Sequence, residues 1–304
     1  FTIAIPVHNA SSTIRETVIS CKRQDFYQEF EIIIVDNAST DSTAESIQDL
    51  IDDKCRLIEE KTFVTMWENH NRCLKYGKGE YVLFCHADDY LLPTALSILD
   101  KELRKRNYPK HHILWGHSMF RDFESALLNT HWRKKELVVG QRAYTIFLQG
   151  GLTPSGTCYA RKAFLDTGGF ADLQNRIAPS DCFTLIKLAF SGFSFEMMDE
   201  MIFVRRFAST LKKDVDKSEV RDAYAEGVAW LLDFIDDDNV TAILYPSYVK
   251  APPSQLLYAF APYKKYRRFV RNSCLKFLLK KPSNLRNKIL MSAFMKSLFP
   301  RASK

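Results

Sequence analysis

Two neighbouring aspartates end an apolar run in the first third of the chain. Asp88 and Asp89 follow YVLFCHA (81–87), whose aromatic and aliphatic residues are typical of a buried strand. Adjacent carboxylates repel each other unless a positive charge lies between them. Hard divalent cations such as Mg²⁺ and Mn²⁺ prefer oxygen ligands. The pair therefore indicates a metal site, although LLPTAL (91–96) begins a helical pattern and the aspartates could instead cap it.

Polar residues also follow two apolar runs nearer the N-terminus, at residues 1–7 and 31–36. Asp36 ends EIIIVD (31–36), where its carboxylate could accept hydrogen bonds from a nucleobase or form an Asx turn. His8 and Asn9 follow FTIAIPV (1–7), where side chains and helix N-terminal amides could contact a ligand. Ligands of open parallel sheets bind beyond the carboxyl ends of the strands. We therefore expect these loops to share one cleft.

The elements around these loops alternate between strand and helix. Strands are expected at FTIAIPV, EIIIVD, CRLIEE and EYVLFCH, and helical patterns lie between them at 11–24, 39–53 and 64–77. This alternation predicts an α/β fold with a mostly parallel sheet and helices on both faces. Ser11 or Ser12 is expected to cap the first helix, and Thr40 or Asp41 the second.

The remainder of the chain is mixed and then helical. A strand is expected at 112–120; a strand, short helix and glycine turn at 153–170; a helix from 178; two short strands in 195–207; and helices at 217–236, 254–281 and 284–299. We expect one domain at 1–210, with a nucleotide-binding half (1–115) and an acceptor half (116–210), and a helical, basic region at 211–304.

Charge is distributed unevenly along the chain. The net charge is +7, yet residues 239–304 contain 14 Lys and Arg and no Asp or Glu. Apolar residues recur there at helical spacing, and basic amphipathic helices bind anionic membrane surfaces. A helix packed on the body of the protein, or an oligomer contact, is the alternative. No recognised nucleic-acid-binding module is present, so nucleic acid is not an expected partner.

Other classes are excluded by missing motifs. Neither GxGxxG nor GxxxxGK[ST] follows the first strand, which argues against dinucleotide cofactors and Walker-type NTPases. No apolar run reaches the length of a membrane span, and no secretory signal is visible. The seven cysteines form no CxxC pair and mostly lie in apolar patterns, so buried, reduced thiols and a cytoplasmic location are expected.

The chain resembles the family 2 glycosyltransferases of the GT-A fold, of the type that builds bacterial polysaccharides and lipid-linked glycans. The matching segments are IAIPVHNASSTIRETVISCKRQ, EIIIVDNASTDST, WENHNRCLKYGKGEYVLFCHADDYLLP, GTCYARKAFLDTGGF and APSDCFTLIKLAF. They span about residues 2–192 in the order and spacing of the family. The first two segments and HADD together are specific, whereas the later ones are weaker.

This resemblance implies a role for each matching position. The donor site would comprise a nucleotide pocket at Pro6, His8 and Asn9, a base-reading Asp36, ribose or diphosphate neighbours at Asn69, His70 and Asn71, and a DXD-type motif at Asp88 and Asp89. These last two would touch the ribose and a Mn²⁺ or Mg²⁺ ion. Many members have Asp where this chain has His86, which could be a metal ligand but is expected instead to pack beside the ligands or support them.

The resemblance also implies how the reaction proceeds. Asp181 would be the base that deprotonates the acceptor hydroxyl, although Ser180 replaces the acidic residue that usually precedes it. Arg205 and Arg206 could contact the diphosphate, while Phe207 replaces a common histidine.

The function expected is that of an inverting, metal-dependent glycosyltransferase. It would move a hexosyl or N-acetylhexosaminyl group from a nucleotide-diphosphate sugar, here a UDP-sugar, to a hydroxyl of a glycan or lipid-linked acceptor. The enzyme would lie at the inner face of the plasma membrane as a peripheral protein. A nucleotidyltransferase, and a non-catalytic nucleotide-binding or scaffold member of the fold, are the alternatives.

Overall fold

A computed structural model gives the fold of the chain. It describes residues 1–120, 137–147, 152–173, 180–206, 226–227, 230, 261, 267–280, 285–286 and 288–298. The chain forms two compact units: Phe1–Asp172 with Thr184–Leu211, and Leu173–Phe183 with Lys212–Lys304. The domain boundaries expected from the sequence, at residues 115 and 210, stay a prediction.

Four apolar strands form a parallel half of the sheet and bring the polar loops to a common edge. They are β1 (Thr2–Val7), β2 (Glu31–Asn37), β3 (Cys55–Glu60) and β4 (Tyr81–Phe84), in the order β3-β2-β1-β4. Every residue of β1 and β4 is buried, as expected for strands covered on both faces. Val7 pairs with Asp36, so β1 and β2 end level with each other. The four strands predicted from the sequence are confirmed.

Five further strands make the sheet mixed. They are β5 (Tyr90–Leu91), β6 (His112–Phe120), β7 (Leu137–Val138), β8 (Thr157–Ala160) and β9 (Ser194–Arg205). Among the described residues the nine strands form one sheet of order β3-β2-β1-β4-β8-β6-β9-β5, with β7 paired to β9. β6 and β9 are parallel, whereas β8 is antiparallel to both β4 and β6, and β5 and β7 are antiparallel to β9.

A single long strand replaces the two short strands expected at 195–207. β9 pairs with β6 along its length, and the pairing shifts register around His117. Asp199 and Met201 are exposed between two buried apolar runs of β9. The register shift between β6 and β9 accommodates these exposed residues within one strand. In the sequence the same residues resemble a break between two strands.

Eight helices are described with the sheet. They are α1 (Ile14–Lys22), α2 (Met66–Tyr76), α3 (Ala95–Lys105), α4 (Gly140–Phe147), α5 (Arg161–Asp166), α6 (Ser180–Phe190), α7 (Arg267–Lys280) and α8 (Lys288–Leu298). α1 and α2 correspond to the first and third helical patterns. α5 and α6 correspond to the short helix and the helix expected in the middle of the chain.

The helix expected at 39–53 is wrong in type and extent. The segment contains only a 3-10 helix at Glu45–Leu50, preceded by Ala44 rather than capped by Thr40 or Asp41. Asp41 accepts hydrogen bonds from the amide and hydroxyl of Thr43 instead. Short polar side chains that bond to nearby backbone in this way compete with helix formation.

The predicted cap of α1 is also wrong. The helix begins at Ile14 after Thr13, whose side chain makes no capping hydrogen bond, and neither Ser11 nor Ser12 occupies the cap position. The amide of Ser11 donates to the Asp41 carboxylate at 3.2 Å. The loop after β1 is therefore held at Ser11 by the loop after β2, and Ser11 does not cap α1.

The C-terminal helices agree with the sequence where they are described. α7 and α8 lie within the helices expected at 254–281 and 284–299, whereas most of the helix expected at 217–236 falls outside the described residues. The Cys274 thiol lies 3.8 Å from the carbonyl oxygen of Leu290, which joins α7 to α8. No described helix has both the length and the apolar composition that a bilayer crossing requires. All seven cysteines are buried free thiols, as expected.

Candidate active site

A cavity of about 510 Å³ opens at the carboxyl ends of β1, β2 and β4, beside the start of α2. Its lining consists of Pro6, Val7, His8, Asn9, Ala10, Ser12, Thr13, Asn37, Phe63, Met66, Asn69, His70, His86, Ala87 and Asp88. The predicted site residues that line it are Pro6, His8, Asn9, Asn69, His70 and Asp88. The other residues predicted for the donor site, Asp36, Asn71 and Asp89, are outside the lining.

The loops after β1 and β2 are joined to each other by side chains. Asn9 adopts a positive φ of 50°, and its side-chain oxygen accepts from the Thr40 amide at 2.8 Å. Its own amide donates to the Ser39 hydroxyl at 2.9 Å. Nδ1 of His8 lies 2.9 Å from the carbonyl oxygen of Asn37. The polar residues after both strands therefore build one rim.

Asp36 forms the turn that ends β2. It is buried, and its carboxylate accepts hydrogen bonds from the amide of Ser39 at 3.2 Å and from the hydroxyl of the same residue. This is the Asx turn that the sequence left open as an alternative. Asn37, which the sequence analysis missed, lines the cavity and exchanges two hydrogen bonds with the backbone of Val64. Base reading by Asp36 stays a prediction.

Helix α2 presents Asn69 to the cavity. Thr65 caps the helix by accepting from the Glu68 amide at 3.1 Å. The Asn69 side chain is buried and its nitrogen donates to the Val35 carbonyl at 3.0 Å, while its oxygen has no partner among the described residues. A buried amide oxygen without a partner is unfavourable, so this atom is suited to accept a hydrogen bond from a ligand.

Asn71 supports a glycine turn instead of the cavity. Its side chain donates to the Phe170 carbonyl at 3.1 Å and accepts from the Phe170 amide at 2.8 Å. Gly169 has a φ of +70°, and a Cβ there would clash with the Asn71 side-chain oxygen. The structure thus gives Asn71 a supporting contact with the backbone of Phe170, and the ribose or diphosphate contact expected from the sequence stays a prediction.

We expect Asn71→Ala to lower the free energy of unfolding by roughly 2–4 kcal/mol, because it leaves the buried amide and carbonyl of Phe170 without partners. Chemical denaturation measures this loss, and Gln28→Ala, at an exposed position, is the control for removal of an amide side chain. If Asn71→Ala kept its stability but lost nucleotide binding, the role predicted from the sequence would be correct and the supporting role wrong.

A pair of histidines forms part of the cavity wall. Nδ1 of His70 lies 2.7 Å from the Met66 carbonyl oxygen, and Nε2 of His70 lies 3.1 Å from Nε2 of His86. The His70 ring stacks on Phe84 at 5.3 Å. Burial, together with the neighbouring His86, lowers the pKa of His70 to about 3, and burial with the nearby Arg205 charge lowers the pKa of His86 to about 4. Both imidazoles are therefore neutral near pH 7.

His86 belongs to a compact group with the two aspartates. One nitrogen of His86 and one carboxylate oxygen each of Asp88 and Asp89 lie within 4.8 Å of one another. Burial and the charge of Asp88 raise the pKa of Asp89 to about 6, although a hydrogen bond from Ser155 opposes that shift. Carboxylates held this close in a partly buried place are suited to share a divalent cation.

The aspartates do not cap a helix. Asp89 is followed directly by β5, and α3 begins at Ala95 after Thr94. Thr17, on α1, was missed in the sequence: its buried hydroxyl lies 2.9 Å and 2.6 Å from the carbonyl oxygens of Ala87 and Asp89. Thr17 therefore fixes the backbone between β4 and β5. Because α3 begins after Thr94, the alternative that the aspartates cap a helix is wrong.

The two arginines at the end of β9 differ in their surroundings. The Arg206 guanidinium pairs with Glu16 at 2.6 Å and lies 5.3 Å from the centre of the Tyr90 ring, while its backbone amide donates to Asp89 at 3.0 Å. Arg205 is close enough for its charge to lower the pKa of His86. Arg206 thus holds the loop, and a diphosphate contact by either arginine stays a prediction. Phe207 lies outside the described residues.

Asp181 lies in the second compact unit. It is the second residue of α6, where the negative charge of a carboxylate interacts favourably with the positive end of the helix dipole. Its charge and its hydrogen bond add to the effect of burial in raising the pKa of the Cys182 thiol. Its role as catalytic base stays a prediction.

Comparison with known proteins gives the family. The family model of "Glycosyl transferase family 2" matches residues 2–154, half of the chain. The Escherichia coli β-1,3-glucosyltransferase WfaP is 36% identical over 95 residues, 31% of this chain and 38% of WfaP. The Staphylococcus aureus poly(ribitol-phosphate) β-N-acetylglucosaminyltransferase TarS is 34% identical over 109 residues, 33% of this chain and 19% of TarS. The match spans less than half the length of either relative.

Solved structures agree on the fold. TarS 1–349 in complex with UDP-GlcNAc matches 98% of this chain and 90% of that chain, with a TM-score of 0.69 and 17% identity. The mannosyltransferase of Pyrobaculum calidifontis in complex with GDP-Man and Mn²⁺ matches 98% and 86%, with a TM-score of 0.58 and 20% identity. At such low identity these matches establish the fold alone, and they confirm the GT-A class expected from the sequence.

The mixed sheet, the polar cavity at the ends of its parallel strands and the matched residues 2–154 agree with one another. The chain belongs to glycosyl transferase family 2.

Proposed function

We propose that this chain is an inverting, metal-dependent glycosyltransferase that uses a UDP-sugar and extends a bacterial surface polysaccharide or lipid-linked glycan. The observation that carries the proposal is the group of His86, Asp88 and Asp89 beside a polar cavity at the carboxyl edge of the parallel strands. The donor needs a pocket for its nucleoside and a positive charge near its negative diphosphate. The cavity offers the pocket, and a divalent cation held by the acidic group would supply the charge.

The cavity offers suitable surfaces for a nucleoside. Phe63 and Met66 are exposed apolar side chains in its lining, and the rings of His8 and Phe63 lie 4.8 Å apart. Aromatic faces of this kind stack on nucleobases. The unpartnered oxygen of Asn69 can accept a hydrogen bond from a base or ribose donor. TarS, which shares the fold, was solved with UDP-GlcNAc, which supports the choice of a UDP-sugar.

The acidic group fits a divalent cation. Asp88 and Asp89 would hold the ion, which, when bound, would neutralise charge on the leaving diphosphate. Arg205 would add a fixed positive charge near the same place. Asp181 would accept the proton of the acceptor hydroxyl as that oxygen attacks the anomeric carbon, and this single displacement would invert the centre.

The acceptor class rests on the relatives. WfaP is named for a diphosphoundecaprenol-linked sugar acceptor, and TarS for poly(ribitol-phosphate). We propose a hydroxyl of a glycan of this general kind, and hexose or N-acetylhexosamine as the transferred sugar.

A screen of nucleotide sugars by thermal shift, with and without Mn²⁺, tests the donor. A ligand present at 100 times its Kd stabilises the folded chain by about 2.7 kcal/mol. We expect a UDP-sugar to give the largest shift, only with the metal, and to be slowly hydrolysed. Binding without any hydrolysis or transfer would favour the non-catalytic alternative, and a response to no nucleotide sugar would reject the proposal.

We also propose that the C-terminal helices bind an anionic membrane surface, the inner face of the plasma membrane. Leu279 and Leu285, near the connection between α7 and α8, are 82% and 59% exposed. Arg268 and Arg271 on α7 and Lys288 at the start of α8 are exposed as well. Exposed leucines and exposed basic side chains in one helical segment are typical of interfacial helices, and a lipid-linked acceptor would lie in the same plane.

We expect the double variant Leu279→Glu, Leu285→Glu to bind vesicles containing phosphatidylglycerol about tenfold or more weakly than the unchanged chain, because it replaces apolar contacts with repelled charges. Sedimentation with vesicles measures the binding, and Tyr27→Glu, at a 99% exposed position, is the control. Equal sedimentation of both variants would contradict the membrane proposal.

A further inference from the structure

The histidine pair fixes which nitrogen of each ring carries the proton. The Met66 carbonyl oxygen, 2.7 Å from Nδ1 of His70, can only accept, so Nδ1 of His70 carries hydrogen. His70 is 1% exposed and packs against Phe84 and Phe170, surroundings that oppose a charged imidazole. Its Nε2 therefore holds a lone pair.

The contact between the two rings also determines which nitrogen of His86 carries hydrogen. The two Nε2 atoms are 3.1 Å apart, and one of them must donate. Because Nε2 of His70 has no hydrogen, Nε2 of His86 is the donor. With hydrogen on Nε2, an imidazole that binds a metal does so through Nδ1. The backbone amide of His86 donates to the Ser155 hydroxyl at 2.7 Å, which fixes the position of the residue.

His86 is part of the acidic group. A nitrogen of His86 and oxygens of Asp88 and Asp89 lie within 4.8 Å of one another, and His86 and Asp88 line the cavity. Histidines that bind metals generally donate their other ring N–H to a neighbouring acceptor, which sets the tautomer. His70 supplies such an acceptor to His86.

In place of the packing or supporting role expected from the sequence, we propose that Nδ1 of His86 is a third protein ligand of the divalent cation. His70 is the positioning residue that holds His86 in the required tautomer. This inference rests on the proposed function only in its choice of a cation site, since the cation can bind without a donor. An imidazole nitrogen among the ligands favours Mn²⁺ and later transition metals over Mg²⁺, which prefers oxygen. The site is therefore selective for Mn²⁺ rather than Mg²⁺.

Pulsed EPR of Mn²⁺ bound to the full chain without nucleotide tests the ligand, because it detects ¹⁴N nuclei coordinated to the ion. We expect nitrogen coupling in the unchanged chain and in His111→Gln, which alters an exposed histidine. His86→Asp retains a carboxylate in that place, so it should still bind Mn²⁺, lose the coupling and lower the preference for Mn²⁺ over Mg²⁺ about tenfold.

Two variants of His70 test the positioning role. His70→Leu removes the acceptor but keeps an apolar side chain, and we expect Mn²⁺ affinity to fall about 10- to 100-fold. His70→Gln can place its amide oxygen near the position of Nε2 and should restore most of that affinity. Thermal unfolding without metal shows whether each variant is folded.

Several results would overturn the inference. These are bound Mn²⁺ without nitrogen coupling, no bound Mn²⁺ at millimolar concentration, or equal affinities in His70→Leu and the unchanged chain. Failure of the proposed function looks different. Mn²⁺ coordinated by His86 with no turnover of any nucleotide sugar would keep this inference and reject the function, and turnover with an all-oxygen metal site would do the reverse.

Discussion

Asp89→Asn and Asp88→Asn are each expected to lower the rate of sugar transfer about 10³-fold. Both substitutions keep the size of the side chain and remove one negative charge from the group with His86. Binding of a cation that neutralises a leaving diphosphate is worth several kcal/mol in the transition state, and about 4 kcal/mol corresponds to this factor. The amide oxygen that Asp89→Asn introduces can still accept from the backbone amide of Arg206, so the loop should keep its structure.

The measurement is turnover of a UDP-sugar across a Mn²⁺ titration, with thermal unfolding of each variant as the check on folding. Asp53→Asn, at an exposed position, controls for the change in net charge and should retain full activity. Asp88 or Asp89 variants that keep more than about a tenth of the activity at the same Mn²⁺ concentration would remove the acidic group from the mechanism.

Asp181→Asn is expected to lower kcat roughly 10²- to 10⁴-fold while the Kd for UDP-sugar and Mn²⁺ stays within about twofold. An amide at the second position of α6 keeps the shape of the side chain but cannot take a proton from the acceptor hydroxyl. General-base catalysis contributes a factor of this size. Steady-state transfer kinetics and calorimetric titration of the donor separate the two quantities.

A merely structural role for Asp181 predicts a different result. A carboxylate near a helix N-terminus stabilises the helix by a few tenths to about 1 kcal/mol, so its loss would lower the unfolding temperature slightly. If Asp181→Asn shows that small shift and a kcat within about tenfold of the unchanged chain, the base must be another residue.

The strands of the parallel half were predictable because their sequence pattern has one interpretation. Short runs such as EIIIVD are apolar almost throughout and are buried almost throughout in β2. The prediction of a helix at 39–53 was wrong because the sequence of that segment does not show which residues of other segments its side chains will contact. Asp41 bonds to Ser11 from the loop after β1, a contact between segments thirty residues apart.

Most residues predicted for the donor site line one cavity, but Asn71 does not. Asn69 and Asn71 are two positions apart on α2, and successive helical residues point about 100° apart, so both could not face one cavity. That geometry was available in the sequence and would have separated them. Thr17 and Phe63 had no such signal, because an ordinary helix residue and a loop aromatic acquire their roles only through the fold.

A crystal structure of the chain with UDP and Mn²⁺, with the metal located by its anomalous scattering, tests the central claim most directly. The account predicts the Mn²⁺ peak within coordination distance of Asp88 or Asp89, with the diphosphate on the same ion and the uridine in the cavity lined by His8 and Asn69. A Mn²⁺ peak remote from both aspartates, or UDP bound outside this cavity, would contradict it.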